Sequence, residues 1–166
     1  MKRKYKSIVY TLFLLNLIYG NDSDRRQHPN VNFNLFSGNK TSIEELIKKG
    51  PLVVQFWAIW CSPCKKEMHY LDKIQKEYKD SGVNVVCVNT DNLKSIPKAK
   101  AFVRQKKYNL LVALDPSAEI FKKLNASVMP TTLIFDQNGQ IVFSKEGYIN
   151  GDEKKVEEKL KSMLNL

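Results

Sequence analysis

The run "PLVVQFWAIWCSPCKKE", Pro51 to Glu67, constrains the fold more than any other part of this chain. Pro51 to Trp57 is a mostly apolar stretch of strand length, and it leads within a few residues into Cys61. After Cys61, Met68, Leu71, Ile74 and Tyr78 recur near helical spacing, which predicts an amphipathic helix. A buried strand feeding directly into a helix calls for an α/β architecture, and the junction between them carries two cysteines in a C-x-x-C pattern.

The rest of the chain repeats the alternation. "VNFNLF" (Val31 to Phe36) alternates like a half-buried strand, and Thr41 or Ser42 is placed to cap a short helix through Lys48, with Glu44 and Glu45 in its first turn. "VNVVCV" (Val83 to Val88) and "LLVAL" (Leu110 to Leu114) read as buried strands. Pro97 suits a helix start, followed by Ala99, Phe102 and Val103 on one face. Asp115-Pro116 opens a short helix to Leu124. "TTLIF" and "IVF" flank the turn "DQNG", which predicts a hairpin, and a last helix places Val156, Leu160, Met163 and Leu164 on one side. These elements predict a sheet with helices on both faces.

Upstream, "MKRKYKS" is a positive segment, followed by an apolar core of eleven residues from Ile8 to Ile18. Export signals carry cores of ~7–15 residues, whereas a spanning helix needs ~20. Residues 1–20 therefore read as an export signal. Gly20 suits a cleavage site but Ile18 does not, so retention as a short anchor through residues 8–19 stays open. Residues 21–30, "NDSDRRQHPN", are polar and charged and read as a linker, leaving a single domain over residues 31–166. Export places the protein in the periplasm or on the outer face of the membrane, where thiols oxidise.

The formal charge of +10 owes four units to Lys2, Arg3, Lys4 and Lys6. The remaining lysines mix with glutamates on helical faces, as in "DEKKVEEKLK", which argues for a solvated surface and against a nucleic-acid site. At most the charge biases the chain towards acidic partners or anionic membrane surfaces.

The cysteine pair admits three readings: staple, half of a metal site, or exchanging dithiol. A disulfide closing so small a loop constrains little of the unfolded chain. A zinc site would have to draw on Cys87, His28 and His69, but His28 lies in the linker and Cys87 in an apolar strand. Exchange fits the position, because unpaired N–H groups at a helix N-terminus stabilise a thiolate at Cys61. Cys64, one turn further in, can then attack the mixed disulfide formed at Cys61. Cys87 reads as a small buried hydrophobe, Trp57 as a packing aromatic, and His69 as a surface helix residue.

"FWAIWCSPC" together with the downstream "MPTT" resembles the WxxWCxxC motif and proline-preceded strand of the thioredoxin superfamily. More narrowly, it is similar to the exported TlpA-like and ResA-like thiol-disulfide oxidoreductases, which include cytochrome c maturation proteins. The resemblance runs from about Val31 to the C-terminus. It implies a thioredoxin-like α/β fold with a central mixed sheet, an extra N-terminal strand, and a helix-strand insertion between Asp91 and Met129. By position it implies Cys61 as nucleophile, Cys64 as resolving cysteine, and a Cys61–Cys64 disulfide in the oxidised form. Pro130 would be a cis-proline facing the pair, with Met129 offering its backbone to an extended substrate, and Trp60 and Pro63 would rim the same surface.

One departure stands out. Cytosolic thioredoxins carry a buried aspartate at the position of Gln55, and a glutamine cannot exchange a proton. Glu67, three residues after Cys64, falls on the same helical face and would substitute as the base that takes the Cys64 proton. Spacing alone equally allows a solvated glutamate there.

The Ser62-Pro63 dipeptide lacks the histidine found in strongly oxidising relatives, so the pair is expected to be reducing. The expected activity is reduction of disulfides in exported proteins, apocytochrome c being one candidate, with re-reduction by a membrane thiol-disulfide electron donor. No cofactor or metal is implied, since the dithiol is itself the redox group. Two competing readings are an exported metal-binding chaperone and a non-catalytic interaction module of the same fold.

Overall fold

A computed structural model describes residues 30–166. The expected signal or anchor, and all of the linker except Asn30, lie outside the described residues.

Seven strands form one sheet: β1 (Asn32–Leu35), β2 (Lys40–Ser42), β3 (Leu52–Trp57), β4 (Asn84–Asn89), β5 (Leu111–Leu114), β6 (Thr131–Phe135) and β7 (Ile141–Glu146). Between and after them lie α1 (Ile43–Ile47), α2 (Ser62–Glu77), α3 (Ile96–Lys106), α4 (Glu119–Lys123) and α5 (Asp152–Leu164). The spatial order is β2-β1-β5-β4-β3-β6-β7. β3, β4 and β5 are parallel, whereas β1 and β2 on one side and β6 and β7 on the other pair antiparallel. This is the mixed sheet read from the sequence, with α3 and β5 as the central insertion.

Strand alternation divides the core into two layers. Leu52, Val54 and Phe56 of β3 pack with Ile43, Leu46 and Ile47 of α1 and with Phe121 of α4. Val53 and Trp57 point the other way, into a layer formed by Met68 and Leu71 of α2, Ala99 of α3, and Val156 and Leu160 of α5. Burial of side chains such as Leu71 or Met68 contributes roughly 1.5–3 kcal/mol each. Gln55 sits on the same side of β3 as Val53 and Trp57, a polar side chain in an otherwise apolar layer.

Two details depart from the sequence reading, the strand β2 and the start of α4, while the expected cap at Ser42 is present. β2 is a short, half-exposed strand paired with β1 through Phe33 and Thr41, too polar to announce itself. Ser42, at its end, is the N-cap of α1 and accepts from the Glu45 amide at 3.1 Å, so one residue closes a strand and opens a helix. α4 starts at Glu119 rather than at Asp115-Pro116, because the Asp115 carboxylate reaches forward to accept the amides of Glu119 (2.8 Å) and Phe121 (2.9 Å). Beneath β3 and β4, Gly82 (φ +83°) passes so near Lys49 that an added Cβ would lie 1.9 Å from its carbonyl oxygen. Only glycine fits there.

Candidate active site

Cys61 is the N-cap of α2, and Pro63 occupies the first turn, where a missing N–H leaves no hydrogen bond unmade. Cys61 and Cys64 are joined in a disulfide with their Cα atoms 5.3 Å apart. The Cys64 amide donates to Cys61 Sγ at 3.2 Å, which aims a backbone N–H of the first turn at the sulfur. Cys64 is fully buried and Cys61 is only 4% exposed, less open than an exposed attacker would be. The sulfur is drawn into the first turn by its bond to Cys64 and by that amide. Trp60 projects beside it, 69% exposed, and Ser62 and Pro63 are exposed as well.

The loop before Cys61 is held by residues that spacing did not single out. The Ile59 amide donates to Asp91 Oδ2 at 2.7 Å, and the same oxygen accepts from Asn89 Nδ2 at 2.7 Å. Lys65 Nζ donates to the Ile59 carbonyl at 3.0 Å. Asp91 is buried just beyond β4, so the strand next to β3 fixes the loop that β3 releases.

The Met129–Pro130 peptide bond is cis. Thr131 pairs with Phe56, which puts Pro130 at the start of β6 beside the end of β3, at the same edge of the sheet as the cysteine loop. The Pro130 carbonyl accepts from the Gly147 amide at 2.7 Å, and Thr90 Oγ1 donates to Met129 Sδ at 3.3 Å.

Glu67 is fully buried, so it is no solvated helix residue. Its Oε2 accepts from Gln55 Nε2 at 2.9 Å, and its Oε1 accepts from Thr132 Oγ1 at 3.0 Å. Lys145 Nζ lies 3.2 Å from the same Oε1, with its side chain only 11% exposed. Gln55 Nε2 also donates to the Cys64 carbonyl at 3.1 Å, tying the carboxylate to the backbone of Cys64. Strand register explains the convergence: Gln55 pairs with Thr132, and Thr132 with Lys145. Three polar side chains thus line up across β3, β6 and β7 under one residue of α2. Lys145 reaches on to Asp152 Oδ2 at 3.7 Å, at the first turn of α5, and Asp152 in turn holds Lys155 at 2.9 Å. The Ile149 amide and the Lys155 ammonium keep the Asp152 carboxyl below the usual carboxylate range.

Cys87 is fully buried on β4, and its thiol is pushed well up by desolvation, with the charges of Glu67 and Asp72 adding to it. His69 is an exposed residue of α2 beside Tyr70. Among the described residues, no three of His, Cys, Asp and Glu converge where a metal ion could sit. Of the polar groups gathered here, Thr132, Lys145 and Asp91 were missed in the sequence. The signal available for the first two was their place at matching positions of the "TTLIF" and "IVFSKE" strands.

A C-x-x-C disulfide at a strand-to-helix junction, beside a cis-proline that opens a neighbouring strand, defines a thioredoxin-fold thiol-disulfide oxidoreductase. Comparison with known proteins agrees. The chain is 29% identical to the thiol-disulfide oxidoreductase ResA of Bacillus thuringiensis subsp. konkukian, over 83% of this chain and 77% of that protein. It is 34% identical to the thioredoxin-like protein YneN of Bacillus subtilis, over 81% of this chain and 77% of that one. A Chlorobium tepidum structure assigned as a thiol:disulfide interchange protein DsbE superposes with a TM-score of 0.76 at 25% identity, covering 84% of this chain and 96% of its own. Residues 25–160 match the Redoxin family, and the chain belongs to it as a ResA-like member of the thioredoxin superfamily.

Proposed function

We propose that this protein is exported through its N-terminal apolar segment and reduces disulfides in other extracytoplasmic proteins. The observation that carries this reading is the Cys61 sulfur at the N-terminus of α2, with the Cys64 amide directed at it. In the reduced protein that amide and the helix dipole favour a Cys61 thiolate. The thiolate attacks one sulfur of the substrate disulfide; the S–S bond breaks and the other sulfur leaves as a thiolate that takes up a proton. Cys64 then gives its proton to the Glu67 carboxylate and attacks Cys61 Sγ. The enzyme disulfide forms, the second substrate thiol is released, and two electrons have passed from the Cys61/Cys64 dithiol to the substrate. Trp60, Pro63, Met129 and Pro130 would border the bound segment, with Met129 pairing to it in extended conformation. A membrane thiol-disulfide donor restores the dithiol.

The test is reduction of insulin disulfides by the reduced wild-type protein and by Cys61→Ser, which should be inert. In cells, Cys64→Ser should accumulate mixed disulfides with exported proteins, among them apocytochrome c if maturation of that protein is its task. A wild-type protein that reduces no protein disulfide would overturn the reading. So would an equilibrium with glutathione showing a strongly oxidising pair.

A further inference from the structure

Beside the disulfide lies a groove of about 550 Å³ that the exchange chemistry leaves unexplained. Its near wall is the first two turns of α2, beginning at Ser62, the residue after Cys61. Its far wall is the inserted α3 and the residues after it, through Phe102, Lys106 and Tyr108. Lys65 and Lys66 also line it, and no lining residue is acidic. Elsewhere on the helices, Lys48, Lys76, Lys155 and Lys161 are each paired with a carboxylate three or four residues away. α3 itself carries Lys98, Lys100, Arg104 and Lys106 without a single acid. That far wall is aromatic: Phe102 meets Tyr108 at 6.2 Å between ring centroids, and Lys65 Nζ stands 5.9 Å over the Phe102 ring.

Resting on the reading of the chain as a disulfide reductase, we propose that this groove docks an acidic segment of the substrate protein next to the cysteine under attack. The groove begins one residue from Cys61, so a chain whose cysteine has reached that sulfur enters the groove within a few residues. Lysines without a carboxylate partner attract carboxylates, and the rings of Phe102 and Tyr108 take the apolar parts of the same segment. A concave site of this size admits an extended chain, whereas a flat membrane surface cannot enter it. The insertion thereby gains a role, because without α3 the groove has no far wall.

The experiment compares two disulfide-linked peptides that differ only in four flanking residues, all Asp in one and all Lys in the other. Reduction kcat/KM is measured with full-length protein. Wild type should favour the acidic peptide about tenfold at low ionic strength, and added salt should shrink the ratio. The double variant Lys66→Glu/Lys106→Glu should erase or reverse the ratio. The variant Lys49→Glu/Lys122→Glu makes the same change in net charge away from the groove and should keep it. The readout is a ratio within each protein, so partial loss of folded material cancels. Equal rates on both peptides, or equal loss of preference in the two double variants, would overturn the groove while leaving disulfide reduction standing. Reduction of neither peptide would overturn the underlying reading instead. Binding to phosphatidylglycerol vesicles that depends on Lys66 and Lys106, without any peptide preference, would assign the groove to a membrane surface and also overturn the proposal.

Discussion

Lys145 Nζ and Glu67 Oε1 form an ion pair of 3.2 Å between β7 and α2, in a layer where Glu67 has no exposed surface. Removing one partner of such a pair costs more than the pair contributes, because the charge left behind has neither water nor counterion. Lys145→Met should therefore destabilise the protein by about 3–5 kcal/mol in a denaturant titration. Adding Glu67→Gln to that variant should recover part of the loss, since a neutral amide can still meet Thr132. A double variant no more stable than Lys145→Met alone would show that the lysine acts through packing rather than charge.

Glu67→Gln removes the proton acceptor and the negative charge together, leaving Lys145 with Asp152 Oδ2 at 3.7 Å as its counter-charge. Its activity is therefore measured per folded molecule, at a temperature where the variant is fully folded. Turnover of protein disulfides near neutral pH should fall by about 10²-fold, in the usual range for a lost general base. Quenched-flow samples should show the mixed disulfide accumulating, because the defect lies in the Cys64 attack. An unchanged rate with no accumulation would remove Glu67 from the proton path.

The Asp152 carboxyl is held below its ordinary range by the Ile149 amide and the Lys155 ammonium, with Lys145 adding attraction. A carboxyl depressed on folding contributes stability above the unfolded value, near 3.9, and the contribution is lost as pH falls towards the folded value. Asp152→Asn should thus be less stable than wild type at pH 7, by about 1–3 kcal/mol, the scale of a lost hydrogen bond to a charged group. The difference should narrow below pH ~4, where the wild-type carboxyl also becomes neutral. Urea midpoints between pH 7 and pH 3 would report it, and a constant difference across that range would contradict the linkage.

Cys87 offers a check on the interior. Full burial and the nearby Glu67 and Asp72 charges push its thiol well up, which disfavours the thiolate that alkylating reagents require. After reduction of the protein, iodoacetamide at pH 8 should label Cys61 first and leave Cys87 unmodified until denaturant is added. Mass spectrometry of the labelled peptides distinguishes the three sites.

Much of this was legible in the sequence, for physical reasons that differ by element. β3 declared itself because a strand buried on both faces reads as a continuous apolar run, and the cysteines sit where that run gives way to helical spacing. The β6–β7 hairpin was visible because "DQNG" supplies the residues a tight turn needs. β2 was not visible: its three residues are polar, and its pairing comes from β1. The partners of Glu67 were hidden for another reason. Helical spacing related Glu67 to Cys64, and the hairpin sets Thr132 opposite Lys145, but both reach Glu67 only through the pairing of β3 with β6, which no local pattern encodes. Asp91 escaped notice likewise, since its partner Ile59 lies 32 residues away along the chain.

The row of polar side chains beneath Glu67 also bears on when the site is completed. Cys61 and Cys64 are neighbours from the moment they are synthesised, but Thr132 lies 65 residues beyond Glu67, and β7 follows later still. Contacts at such separation form after local ones, because the intervening loop must close first. The buried carboxylate gains its lysine partner only where β7 is in place, so the network beneath the cysteine helix and the far edge of the sheet are completed by the same strand.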